Sequence, residues 1–296
     1  MYYALVQGKY IDPLTDFGFK KLFGEECNKD LLLDFLNELL YEEQGRIVNI
    51  SYLKLEQPGF SADSRKAVFD LYCENEKGEK IIVEIQKERQ EHFKDRTLLY
   101  STFPILQQAP KKEDWNFELK AVYVIAILDF VFDEDKDDPH KYRYDVMLTD
   151  IKTHKIFYDK LTFIYIEMPK FTKEVHELET RFEKWLYVIN NLYRLDYLPD
   201  ELREYIFEKM FAAAEVAKLS QAEHLGYARN LMTSWDQYSC MKTAKDEAKA
   251  EGLAEGLKKG EAKGLKKGLA EGLAKGEQER QKLQQELDEL KRLLAK

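Results

Sequence analysis

A chain of 296 residues with 17 Phe, 18 Tyr and a hydrophobic fraction of 44% can bury one large core, or a medium core with an appendage, and its composition is that of neither a disordered nor a membrane protein. The net charge of −9 excludes a protein that coats nucleic acid through overall basicity. That charge is uneven: residues 241–296 carry 14 Lys+Arg against 11 Asp+Glu, about +3, which leaves about −12 on the first 240, so any nucleic-acid site has to be local.

In chain order, TDFGFKKLFG and NKDLLLDFLNELLYEE read as helices, the second with Leu32, Phe35, Leu36 and Leu39 at helical spacing behind a cap at Asn28. RIVNISYLKLEQ, VFDLYC and KIIVEIQ read as strands rich in β-branched and aromatic residues. HFKDRTLLYSTFPILQQA reads as a helix, and LKAVYVIAILDFVF, YRYDVML and LTFIYIEM as three more strands. The order α, α, β, β, β, α, β, β, β fits an α/β fold, a mixed sheet with helices against its faces. The acidic run DEDKDD at 133–138 reads as a solvated connection between strands. From about 171 to 240 the chain is helical and aromatic, with LETRFEKWLYVINNLYRL its clearest helix and Trp185 and Tyr187 as core. The expected organisation is a core over 1–170, a helical region over 171–240 packed on it or linking from it, and a tail over 241–296.

The tail is the most regular segment. Glycine recurs at 252, 256, 260, 264, 268, 272 and 276, and Leu253, Leu257, Leu265, Leu269 and Leu273 each follow a glycine. Each glycine costs a helix about 1 kcal/mol relative to alanine, so either something compensates or the segment is a flexible charged linker. A period of four drifts about 40° per repeat on a helix and winds a right-handed path if held against a partner. The six Lys and four Glu between 251 and 276 exclude a lipid setting. Leu283, Leu287, Leu290 and Leu294 then form a short coiled-coil seam, and together the pieces point to a homo-oligomer.

The stretch VFDLYCENEKGEKIIVEIQ, residues 68–86, carries the chemistry. Gly78 suits a tight turn, and a centre near Lys77 pairs position 70 with position 84. Alternation then puts Val68, Asp70, Tyr72, Ile82, Glu84 and Gln86 on one face, and Phe69, Leu71, Val83 and Ile85 on the other. Opposed carboxylates repel, and a divalent cation removes the conflict: Mg²⁺ prefers oxygen ligands and typically takes one or two carboxylates plus waters. A solvated hairpin face with incidental acids is the alternative.

Asp70, thirteen residues, then Glu84-Ile85-Gln86, with a helix following, resembles the PD-(D/E)xK nuclease core. Together with DPLTDFGFKKLFG, FKDRTLLYSTFPILQQ, AVYVIAILDFVF, FIYIEMPKF and the glycine tail, it resembles the PD-(D/E)xK nuclease family transposases, or recombination-promoting nucleases. The resemblance implies a restriction-endonuclease-like mixed sheet flanked by helices, followed by a helical region and a long C-terminal Gly-repeat and coiled-coil helix. It implies Asp70, Glu84 and Gln86 as catalytic residues, with Asp70 and Glu84 as ligands of Mg²⁺ or another divalent cation such as Mn²⁺. Gln86 stands where the general motif has lysine. Asp16 and Lys20 match an N-terminal signature, and their spacing of four also makes an ordinary helical ion pair. Gln107 and Gln108 fit the family pattern or serve as caps.

Lys87, Arg89, Lys94 and Arg96 form a cluster able to hold a DNA backbone, diluted by Glu88, Glu91 and Asp95. Asp34 and Glu38 are one helical turn apart and could add a carboxylate to the metal. Cys27, Cys73 and Cys240 are too few for a disulfide framework, and the five histidines show no ligand spacing. No leader pattern and no membrane-length apolar run is present, which gives a cytoplasmic expectation. The expected activity is a metal-dependent DNA endonuclease linked to recombination or mobile elements. The competing expectation is a catalytically silent oligomeric DNA-binding or regulatory module.

Overall fold

The structure, a computed structural model, describes residues 8–58, 66–109 and 116–294. The first seven residues, and the side chains of Leu290 and Leu294 in the expected seam, lie outside the described residues. The chain forms two compact units, one ending at Ser234 and one beginning at Trp235.

The first unit opens with α1 (Asp16–Phe23), capped by the Thr15 hydroxyl, which accepts the Gly18 N–H at 3.0 Å. A side chain at Gly18 would collide with the Asp12 carbonyl, so glycine is required there. Helix α2 (Lys29–Gln44) begins where Asn28 predicts, but Asn28 does not cap it through its side chain. Its amide instead donates to the Lys21 carbonyl at 3.1 Å, fastening the turn between the two helices.

Two expected strands are each split. RIVNISYLKLEQ becomes β1 (Ile50–Tyr52) and β2 (Glu56–Gln57), and VFDLYC becomes β3 (Ala67–Val68) and β4 (Leu71–Asn75), with a bend at Asp70. Strand β5 (Lys80–Gln86), helix α3 (Phe93–Gln107), and strands β6 (Val122–Leu128) and β7 (Arg143–Thr149) follow as predicted, and β8 (Ile156–Glu167) begins five residues before LTFIYIEM. The main sheet has six strands in the order β1-β4-β5-β6-β8-β7, with β5, β6 and β8 parallel and the remaining pairs antiparallel. All seven residues of β6 are buried, as expected of a parallel strand covered on both faces.

Helices cover that sheet unequally. On one face α1, α2, α4 (Arg181–Asn191) and α5 (Tyr205–Ala214) pack Phe23, Phe35, Trp185 and Phe207 over Leu71, Val83, Ile125 and Ile164. On the other, α3 lays Phe93 and Phe103 over Tyr72, Ile82, Val124 and Tyr165. The hairpin is therefore buried on both sides rather than half-buried. Alternation also fails at one residue: Phe69 packs with Tyr72, not with Leu71, because the bend at Asp70 turns it across the sheet edge. Tyr227 and Ala228, early in α6 (Gln221–Leu294), are buried in the first unit.

In the second unit the glycine repeat is helical. Leu253, Leu257, Leu265, Leu269 and Leu273 are 60–76% exposed, and none of the seven glycines of the repeat has a neighbour within 4 Å of where a Cβ would sit. No described helix is long and apolar enough to cross a membrane.

Candidate active site

The turn that makes the site is local. The Asn75 side-chain oxygen accepts the N–H groups of Lys77 and Glu79, both at 3.0 Å, and Gly78 takes a φ of +80°. The resulting register pairs Leu71 with Val83 and Tyr72 with Ile82, and the next positions outward are Asp70 and Glu84. There the backbone ladder gives way to side chains. The Asp70 N–H donates to Glu84 Oε1 at 3.2 Å, and the Ile85 N–H donates to Asp70 Oδ2 at 2.9 Å. Asp70 thus lies in a bend rather than on a strand, and the two carboxylates accept backbone N–H groups across the end of the ladder.

Two cations from different helices reach these acids. From α1, the Lys20 ammonium bonds Asp16 at 2.5 Å and stands 3.8 Å from Asp70 Oδ1. From α3, Arg96 Nη2 donates to Glu84 Oε2 and Nη1 to Gln86 Oε1, both at 3.2 Å. The Gln86 amide nitrogen donates to the Glu88 carbonyl at 2.8 Å, which fixes the direction of its oxygen. Glu84 is only 2% exposed. Burial, followed by the negative charge of Asp70, pushes its carboxyl up to about 8, while Arg96 pulls the other way. Burial also raises Asp70, opposed by the Ile85 N–H and Lys20.

The sequence-predicted residues separate into two groups. Asp70, Glu84, Gln86, Lys20 and Arg96 come together, with Asp16 one contact away. Gln107, at the far end of α3, accepts from the Tyr72 hydroxyl at 2.9 Å and donates to Gln57. Gln108 spans to the Lys120 backbone instead of capping with its side chain. The Asp34 carboxylate accepts from Arg181 and from the Trp185 indole at 2.8 Å, and Glu38 lies 3.8 Å from the same guanidinium, so both acids tie α2 to α4.

The basic cluster is already paired. Lys87 bonds Asp12 at 3.1 Å, Lys94 bonds Glu134 at 2.6 Å, and Arg89 binds Asp133 through both terminal nitrogens. The run DEDKDD is therefore more than a solvated connection. It takes up two of the four cations, and Lys170 holds its Asp135 carbonyl at 2.6 Å.

Two acids at strand ends have no place in the sequence motifs. Asp129, directly after β6, is raised by burial and eased by Lys87, with Asp12 adding repulsion. Glu167, at the end of β8, is fully buried with Lys170, whose ammonium lies 2.7 Å from Oε2 outside hydrogen-bond alignment. Their only sequence signal is an acid at the carboxyl end of an apolar strand, the same signal that Glu84 gives.

Among the described residues, no group of three or more His, Cys, Asp or Glu side chains is arranged to hold a metal ion. The donor set is two carboxylates from Asp70 and Glu84, each with oxygen lone pairs left after its present bonds. That fits a hard divalent cation, which takes one or two carboxylates and completes its shell with water.

The model of the PD-(D/E)XK nuclease family transposases matches residues 13–244, from before α1 into α6. The chain belongs to that family, and its sheet with flanking helices is restriction-endonuclease-like. The family is one of nuclease-type hydrolases, whose members generally use divalent metal ions. No curated protein and no solved structure matches the chain.

Proposed function

We propose that the protein is a metal-dependent DNA endonuclease that hydrolyses phosphodiester bonds at Asp70, Glu84 and Gln86, in the service of recombination or a mobile element. The observation that carries this is the buried Asp70–Glu84 pair, joined through reciprocal side-chain-to-backbone hydrogen bonds and faced by two cations from separate helices. Asp70 and Glu84 would hold Mg²⁺ or Mn²⁺, which when bound makes water more acidic and neutralises charge on the phosphate under attack. Gln86 orients a water or a phosphate oxygen through its amide, which neither takes a proton nor supplies charge. Lys20 lends positive charge on the Asp70 side. Arg89 and Lys94 would hold the DNA backbone once they exchange Asp133 and Glu134 for phosphates.

One observation favours the second reading, a catalytically silent DNA-binding or regulatory module: Gln86 is engaged at both its oxygen and its nitrogen, which leaves it no free group to orient a water. The discriminating experiment incubates plasmid with Mg²⁺ or Mn²⁺ and the wild type, Asp70→Ala or Glu84→Ala protein. Nicking by wild type alone supports the nuclease. Equal cleavage by all three removes the site, and none with any metal favours the silent module.

We also propose that α6 self-associates through its glycine–leucine stripe and the seam beyond it. Deleting 277–296 is expected to lower the mass measured by light scattering to that of a smaller assembly, and an unchanged mass removes the seam from the interface.

A further inference from the structure

The lysine missing from position 86 leaves a vacancy of charge, and the position of Arg96 speaks to it. We propose, building on the nuclease reading, that Arg96 is the positive charge that Gln86 lacks. It hydrogen-bonds Glu84 while the site is without metal, and turns to the phosphate when a divalent cation takes over the carboxylates.

Four observations support this. Of the four basic residues that follow β5, Arg96 is the one that reaches the acid pair; Lys87, Arg89 and Lys94 end on Asp12, Asp133 and Glu134. Its bonds to Glu84 and Gln86 are both 3.2 Å, longer than the 2.7–2.9 Å typical of charge-assisted pairs, whereas its bond to Gln90 is 2.8 Å. Its side chain is 32% exposed beside an acid that is 2% exposed, so the guanidinium lies at the boundary between the buried pair and solvent. It also rests on the Tyr100 ring at 5.0 Å and bonds that hydroxyl through Nε at 3.0 Å, an anchor that leaves the terminal nitrogens able to change partner.

Charge completes the argument. With the acids ionised, Asp16, Asp70 and Glu84 face Lys20 and Arg96, a net charge of −1. A divalent cation on the same oxygens leaves the site with one positive charge in excess and repels the guanidinium at short range. A phosphodiester then restores the balance, and the planar fork of arginine matches two phosphate oxygens as it matches a carboxylate. Cation and DNA therefore bind cooperatively, with Arg96 passing from one anion to the other.

The test uses full-length wild type, Arg96→Ala, Arg96→Lys, and Arg96→Ala combined with Gln86→Lys. Calorimetric titration with Mn²⁺ alone, without DNA, reads the exchange. Loss of the competing guanidinium is expected to tighten Mn²⁺ binding by roughly 3–10-fold, and Arg96→Lys to fall between. Weaker binding in Arg96→Ala overturns the proposal, since Arg96 would then merely position Glu84. In single-turnover nicking of plasmid with Mg²⁺, Arg96→Ala is expected to lose about 10²–10³-fold, and Gln86→Lys in that background to regain at least about tenfold. Full activity of Arg96→Ala, or no rescue by lysine in a variant whose melting shows it folded, overturns the charge-supplying role. If the wild type cleaves nothing, the nuclease reading falls by itself, and the Mn²⁺ titration still decides the exchange.

Discussion

Two buried glutamates at the carboxyl ends of parallel strands have opposite surroundings. Glu167 on β8 is completely enclosed, accepts the Phe132 N–H at 2.7 Å, and has its own ammonium in Lys170, itself 5% exposed and bonded to Asp135 and Tyr144. Glu84 on β5 is nearly as deep, yet it faces a second carboxylate, and its cation is half turned to solvent and shared with Gln86 and Gln90. The first arrangement is neutralised by a cation almost as buried as the acid, and it holds the 129–136 connection against the sheet. The second is balanced only by partners that can leave. Burial of an acid therefore does not mark a functional site; a counter-charge that reaches solvent and is shared with other groups does.

The largest expected effect separates the two regions by activity. Asp70→Asn or Glu84→Gln is expected to lower plasmid nicking by at least about 10³-fold, while Glu167→Gln leaves the rate per folded molecule within a few-fold, measured in single turnover. A loss in Glu167→Gln as large as that in Glu84→Gln would break the comparison.

Stability is expected to respond in the reverse sense. Lys170→Met leaves Glu167 buried without a counter-charge and is expected to cost about 3–5 kcal/mol in urea unfolding. Glu84→Gln is expected to stabilise the protein, and the sign follows from proton binding. The carboxyl of Glu84 lies at about 8 in the folded chain against 4.5 as the ordinary value, so between those pH values the folded state holds more protons than the unfolded. The stabilising contribution is present below about pH 4.5 and is lost as pH rises through 8. Glu84→Gln is therefore expected to gain on the order of 2 kcal/mol at pH 8 and little at pH 5, read from melting curves at the two pH values. Millimolar Mg²⁺ or Mn²⁺ is expected to raise the wild-type melting temperature at pH 8 by a few degrees and to leave Glu84→Gln unmoved, since only a ligand of the folded state shifts unfolding.

The smallest effect belongs to an acid of a third kind. Glu223, early in α6, is partly exposed and bonds Lys21 at 2.6 Å, which with the Ser220 hydroxyl and N–H holds it down to about 2. Its contribution is present above about pH 4.5 and is lost as pH falls through 2. Glu223→Gln is expected to cost at most about 1 kcal/mol at pH 7, measured by urea unfolding, because solvent screens the pair. A larger cost would show that this contact anchors α6 to α1.

What the sequence alone determined is what short-range chemistry controls. Asn75 and Gly78 set the turn, alternating apolar residues set the register, and the two together oppose position 70 to position 84 without help from the rest of the chain. The apolar run of β6 and the helical spacing of α2 were legible for the same reason. Tertiary structure decided the rest. Whether the hairpin has one dry face or two depended on α3 arriving over Tyr72 and Ile82, where Phe69 also packs. Whether Lys20 and Arg96 are surface charges or partners of the acid pair depended on where α1 and α3 cross the sheet edge, and whether Arg89 and Lys94 are free depended on a loop about 40 residues further along the chain. Period and turn chemistry act within one element. The electrostatics of a site are summed over elements that only the folded chain brings within a few ångströms of one another.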